Sequence, residues 1–256
     1  MPFIIKNSSE IEGIKKSCVV TANCLKHLAD NMKVGMSTAE LEDLTTKYAN
    51  KFGAVSAVLG YQGFPGSFCV ARNEVACHGI PNANEILQAG DIINLDVSLI
   101  LDGFYSDASI MCHLGANAEA LSLISAAKEC LEIGIKYATP QYNLFDIAYN
   151  IESKAKSRGY NIIDVFCGHG VGIKLHESPL ILHSVSKLNF FEKKTLRDTK
   201  LKPGMTITIE PILTKGSGKV EILSDGWTAV TKERVLAAQW EHTILITDHA
   251  PIVLTC

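Results

Sequence analysis

Asp96 and Asp107 both fall in NLDVSLILDGFYSDAS, residues 94–109, where two apolar runs flank Asp102-Gly103. That dipeptide favours a tight type I′ hairpin turn. A two-residue turn sets Leu101 against Phe104, and counting outward sets Ser98 against Asp107 and Asp96 against Ser109. The two acids then share one face as diagonal cross-strand neighbours, roughly 7 Å apart at the backbone, while Leu95, Val97, Leu99, Leu101, Phe104 and Ile110 point the other way. A half-solvated hairpin would show the same alternation. A pair of metal ligands needs partners elsewhere.

Three later segments offer them. FCGHGVGIKLHESP holds His169 between glycines and His176 seven positions on; glycine beside a histidine lets other backbone come close. Taken singly, each reads as an ordinary hydrogen-bonded polar residue, as do His27, His113, His183, His242 and His249. KPGMTITIEP ends an alternating strand at Glu210, with a turn from Pro211, and AAQWEHTILITD starts a strand at Glu241 followed by Ile244, Leu245 and Ile246. An unpaired carboxylate in such a run is costly to bury. Four acids and one histidine could converge on two divalent cations; with one bridging hydroxide the cluster carries a net charge of about -1, tolerable in a low-dielectric pocket. Oxygen-rich ligation with one imidazole suits Mn, Fe or Co at least as well as Zn.

The elements that must position these groups are legible in outline. Ser9 with Glu12 and Ser37 with Glu40 are capping boxes; they predict helices over 8–32, with Ile14, Cys18, Val19 and Leu25 as its apolar stripe, and from 37 to near Gly53. A loop, GYQGFPGSFC, leads to strands around 68–77, 91–99 and 104–112. Helices over 117–137 and 143–158 follow, the second stopped by Gly159, then strands around 162–167, 205–212, 219–223 and 241–247. Helix, helix, then strands, twice over, predicts an α+β chain of two related halves, roughly 10–115 and 116–250, within one domain spanning 1–256. No linker rich in Pro, Gly or Ser divides it. SKLNFFEKKTLRD, inside the stretch 183–199, reads as an exposed loop.

Composition excludes several classes. The chain has 256 residues, 47% apolar and 20% charged, with a net charge of -3, enough for one large core. The balance gives no electrostatic footprint for nucleic acid and no basic tract for a membrane surface. No apolar run approaches the ~18 residues of a spanning helix, and MPFIIKNSS is too short for a signal sequence; a cytoplasmic protein is expected. Eight cysteines without a Cys-x-x-Cys pair read as reduced, small core residues.

GYQGFPGSFC, NEVACHGIP, NLDVSLILDGFYSD, CGHGVG, LHESP, TIEP and QWEHT, in that order and at similar gaps, resemble type I methionine aminopeptidases from about residue 10 to the C-terminus. The resemblance implies the pita-bread fold, two pseudo-symmetric α/β halves around a curved antiparallel sheet with two divalent metals (Co, Mn, Fe, Zn or Ni) in the central cleft. It implies that Asp96 and Asp107 bind one metal, that Asp107 and Glu241 bridge, and that His169 and Glu210 complete the other. Activity would be removal of an N-terminal methionine that precedes a small residue, by a metal-bridged hydroxide attacking the scissile carbonyl. Glu210 would double as proton acceptor, His176 would donate to the oxyanion, and His78 would contact the leaving-side nitrogen. Tyr61, Phe64, Cys69 and Trp227 would hold the methionine side chain. The implied partners are nascent polypeptide N-termini, with a transient ribosome contact, and the implied form is a cytoplasmic monomer of the short, bacterial type without an N-terminal zinc-binding extension. The chain's own start, Met1-Pro2, is of the kind such an enzyme processes.

The chain departs from the family pattern at three points. Ala108 stands where the family usually has Thr, which would remove a hydroxyl beside the metal ligands; Leu175 replaces a pocket aromatic; Val58 stands where cysteine is common. The rival readings are a proline-specific peptidase of the same fold and a binding protein that has kept the fold without the chemistry.

Overall fold

The computed structural model describes residues 3–256, so the Met1-Pro2 start lies outside the described residues. Five helices carry the frame: α1 (Ser8–Asn31), α2 (Thr38–Lys51), α3 (Ala118–Tyr137), α4 (Leu144–Ser157) and α5 (Phe190–Asp198). The α1 box is Asn7 with Glu10, each bonding the other's backbone N–H, and not the expected Ser9 with Glu12; Glu12 instead pairs with Lys15 at 2.7 Å. Val19 also turns outward, 52% exposed, because the buried stripe runs through Ile14, Cys18, Leu25 and Leu28. At α2 the expected Ser37–Glu40 box is present.

The hairpin pairs Ile92–Leu101 with Phe104–His113 in the expected register, Leu101 opposite Phe104, Ser98 opposite Asp107 and Asp96 opposite Ser109. Asp102 and Gly103 have φ of 51° and 82°, the left-handed pair that a type I′ turn requires. Helix α1 lies on the hairpin's apolar face. Gly13 makes this approach possible, since a Cβ there would sit 2.3 Å from the Phe104 ring. The one polar residue on that face, Ser106, is met by Ser17 and Thr21 hydroxyls, each at 2.7 Å.

Two cores form. One joins α1, α2 and the hairpin through Leu28, Leu41, Phe68, Leu95 and Leu99. The other joins α3, α4 and the later strands through Leu131, Ile147, Ile151, Ile207 and Ile244. The largest later sheet runs, in spatial order, Ile252–Val253, His242–Leu245, Thr206–Ile209, Gly168–Gly170, Glu177–Ile181. Every neighbouring pair in it is antiparallel.

Three expected strands are broken or cut short. The run 68–77 divides into Cys69–Arg72 and Val75–Cys77 at Asn73, which has a left-handed φ of 54°. Of 162–167 only Ile162 is strand, as the end of Asn161–Ile162. The run 205–212 stops at Ile209 and resumes at Ile212, because Pro211 has no N–H for the ladder.

The stretch 183–199 is not a bare loop. It contains α5, opened by a capping box of Asn189 with Glu192. Phe190 and Phe191 stand 73% and 77% exposed on it, and Leu196 is its buried anchor. Among the described residues no helix is long and apolar enough to cross a membrane, and all eight cysteines are free.

Candidate metal centre

The break at Pro211 builds the site. Thr206–Ile209 pairs with His242–Leu245, and Ile212–Thr214 pairs with Ala237–Gln239. The register is the same on both sides of the gap, so Glu210 stands opposite Glu241. Like charges directly opposed are destabilising in an ordinary sheet. Glu241 is also held to the hairpin: its N–H donates to Ser109 O at 3.1 Å, and Ser109 N–H donates back to Glu241 O at 3.3 Å. Asp107 is clipped to the same strand, since its N–H donates to Thr243 Oγ1 and the Thr243 hydroxyl donates to Asp107 O at 2.7 Å.

His169 enters from Gly168–Gly170, the strand beyond Thr206–Ile209. A Cβ at Gly168 would lie 2.4 Å from Thr208 O, and one at Gly170 would lie 2.8 Å from Ser178 O, so the flanking glycines are what allow strands on both sides to pack against it. Nδ1 lies 3.0 Å from Gly170 O; a carbonyl only accepts, so Nδ1 carries the proton and Nε2 presents a lone pair. That lone pair faces Asp107 Oδ2 at 3.7 Å and Glu210 Oε1 at 3.6 Å. Both separations are too long for hydrogen bonds and suit groups sharing an ion. Asp107, His169 and Glu241 offer ligand atoms all within 4.8 Å of one another. Asp107, His169 and Glu241 are buried, while Asp96 is partly open to the cleft.

Among the described residues, no Lys or Arg lines the cavity over these acids to balance them. Burial, and then the Asp107 charge, push Asp96, Glu210 and Glu241 well above the usual carboxylate range. Burial raises Asp107 to about 7 against the pull of the Ser98 hydroxyl, and it lowers His169 to about 3. Four packed acids that resist ionising, facing an unprotonated imidazole nitrogen, fit divalent cations and little else.

Sequence reading missed the groups that orient these ligands. Ser98 donates to Asp107 Oδ1 at 2.7 Å; it stood directly opposite Asp107 in the register and could have been named. Thr208 accepts from His169 N and donates to Glu210 Oε1 at 2.7 Å; its place two residues before Glu210, on the same face, was the available signal. His183 accepts the Glu210 N–H through Nε2 at 3.2 Å, and the Gln239 amide approaches Glu210 Oε2 at 3.4 Å. Nothing in the local sequence announced these two.

A cavity of about 340 Å³ opens over the acids, and every residue expected at the site reaches its lining: Tyr61, Phe64, Cys69, His78, Asp96, Asp107, His169, His176, Glu210, Trp227 and Glu241. Phe64 meets Trp227 edge-on at 5.2 Å, and His78 meets Phe166 edge-on at 5.3 Å. Val58 and Leu175 line the same space. Ala108 does not, being fully buried in the apolar core on the other face of its strand. A larger open groove of about 730 Å³ beside Arg72, Asp225 and Arg234 contains none of these ligands; the chemistry belongs to the smaller, acid-lined cavity.

Residues 12–248 match the model of metallopeptidase family M24. The chain is 40% identical over 247 residues to methionine aminopeptidase A of Synechocystis sp., covering 96% of this chain and 94% of that protein. Its fold superposes on the crystal structure of methionine aminopeptidase from Rickettsia prowazekii with a TM-score of 0.93 at 33% identity, each chain covered in full. A prolidase from Pyrococcus furiosus shares the fold at 21% identity and a TM-score of 0.78, with only 65% of that chain covered. The α+β architecture is thus the pita-bread fold, and the chain belongs to metallopeptidase family M24 and, within it, to the methionine aminopeptidases.

Proposed function

We propose that this protein removes the N-terminal methionine from peptides and nascent chains whose second residue is small, with two divalent cations held by Asp96, Asp107, His169, Glu210 and Glu241. The observation that carries the reading is the buried convergence of Asp107, His169 and Glu241 within 4.8 Å. When bound, the cations supply a lowered water pKa and polarisation of the scissile carbonyl. Glu210 accepts the proton of the attacking water and passes it to the departing amine; the Thr208 hydroxyl fixes its Oε1. His176 donates to the developing oxyanion, and His78, aimed by a left-handed φ of 55°, contacts the leaving-side nitrogen. The free α-amine enters at Asp96, which is partly open to the cleft, and this restricts cleavage to the first residue. Tyr61, Phe64, Cys69 and Trp227 enclose the methionine side chain, whose sulfur is well matched to aromatic edges. Although Ala108 lacks the family's usual hydroxyl, Asp107 is oriented by Ser98.

The same reading makes 1–256 one catalytic domain of two related halves, working as a monomer in the cytoplasm. It expects Met-Ala-Ser to be cleaved by the metal-reconstituted protein at least about 100-fold faster than an X-Pro peptide. Reversed preference would favour the proline-specific rival, and metal binding without methionine release would favour the binding-protein rival.

A transient ribosome contact is assigned to α5. Residues 186–202 hold six Lys or Arg against two acids in a chain of net charge -3, beside the exposed Phe190–Phe191 pair. Replacing both phenylalanines with serine is expected to leave Met-Ala-Ser kinetics unchanged and to reduce cosedimentation with ribosomes; unchanged cosedimentation would remove the assignment.

A further inference from the structure

We propose that the Tyr61 hydroxyl is a positioning group for His176: by donating to Nδ1 it fixes the imidazole as the Nε2–H tautomer and points that N–H into the cleft. The inference rests on the reading of His176 as the oxyanion donor and goes beyond a wall role for Tyr61. Tyr61 Oη lies 2.8 Å from His176 Nδ1, with ring centroids 5.2 Å apart and planes tilted by 42°. The contact joins residues 115 apart in sequence and bridges the two sides of the cavity.

Both partners are held from behind. Tyr61 sits in a turn stitched by Gly60 N–H to Phe64 O at 2.8 Å, Tyr61 N–H to Val58 O at 2.9 Å and Phe64 N–H to Tyr61 O at 2.9 Å. Gln62, next in the chain, has a left-handed φ of 48°, strain that a non-glycine residue bears when the surrounding structure dictates it. On the other side, Glu177 Oε1 accepts from Ile173 N and Lys174 N at 2.7 and 3.0 Å. Its Oε2 meets Lys6 at 2.5 Å, with both side chains buried. This clamp fixes the turn from which His176 projects, and the His169 ring packs against the imidazole at 4.2 Å, leaving the tautomer to the Tyr61 bond.

The direction of that bond follows from chemistry. A neutral imidazole has one donor and one acceptor nitrogen. If Nδ1 gave its hydrogen to Tyr61, Nε2 would turn a lone pair toward an oxygen gaining negative charge. With Tyr61 as donor, Nε2–H is the group offered to the substrate. A phenol that only walled the methionine pocket would need no hydroxyl there.

Tyr61→Phe keeps the ring and deletes the hydroxyl. On Met-Ala-Ser it is expected to lower kcat about tenfold, with KM within about twofold and the preference for methionine over norleucine at the first position unchanged. In a His176→Ala background the same substitution should cost nothing further. The ¹⁵N shifts of the His176 ring should show a protonated Nε2 in the wild-type protein and a tautomer mixture in the variant. Unchanged kcat, additive losses in the double variant, or a protonated Nδ1 in the wild type would overturn the proposal. A His176→Ala variant as active as wild type would instead overturn the role given to His176 itself.

Discussion

Asp107→Asn is expected to abolish methionine release, lowering kcat/KM by about 10⁴-fold or more, while the protein stays folded. Asparagine keeps the shape of the side chain and a carbonyl oxygen for the Ser98 hydroxyl, which lies 2.7 Å from Oδ1. What it loses is the charge at Oδ2, the atom that faces His169 Nε2. Each tenfold in rate is about 1.4 kcal/mol of barrier, so the expected loss is about 5 kcal/mol, within what the removal of cation-based polarisation supplies. Stability moves the other way in the metal-free protein, because one acid that resists ionising has gone. Peptide kinetics, bound-metal stoichiometry and thermal unfolding measured together check this. A fully active variant would remove Asp107 from the site, and an unfolded one would make its role structural.

Removing metal is expected to leave a protein whose stability falls as pH rises above about 6.5. Asp107 has a folded pKa raised to about 7, and Asp96, Glu210 and Glu241 are raised well above their usual values. The folded state therefore holds more protons than the unfolded chain once pH passes the ordinary carboxylate range, and stability declines with pH until the folded values are passed. Between about pH 4 and 6.5 the buried histidines oppose this. His169 and His183 are lowered to about 3 and His242 to about 4, so there the unfolded chain gains protons that the folded one refuses. Above the ordinary histidine value of 6.5 this opposition fades and the acids dominate. The chelated protein should lose about 5 °C in Tm between pH 6.5 and 8. The manganese-loaded protein should be flat or rise over that interval, since the bound cations replace the protons. Equal slopes in both forms would contradict the placement of cations among these acids.

The hairpin was legible because its register follows from one turn: Asp102-Gly103 forced Ser98 opposite Asp107, and alternation did the rest. The glycines around His169 were legible for the same reason, a close approach that only glycine permits. The facing of Glu210 and Glu241 was not, since it depends on one ladder resuming in register beyond Pro211. Nor were His183 or Thr243 readable, because their partners, Glu210 and Asp107, lie 27 and 136 residues away. Helix α5 was missed although Asn189 and Glu192 give the same signal as Ser37 and Glu40. Its single buried residue, Leu196, produces no apolar periodicity to accompany the cap. Composition and spacing alone collected the acids at strand ends, and the family resemblance selected which of them act together.

Anomalous diffraction from crystals grown with manganese tests the proposed dinuclear centre directly. Two anomalous peaks are predicted, one contacted by Asp96 and Asp107, the other by His169 and Glu210, with Asp107 and Glu241 reaching both. A map with no peak among these five side chains, or with manganese bound only elsewhere on the molecule, would contradict it.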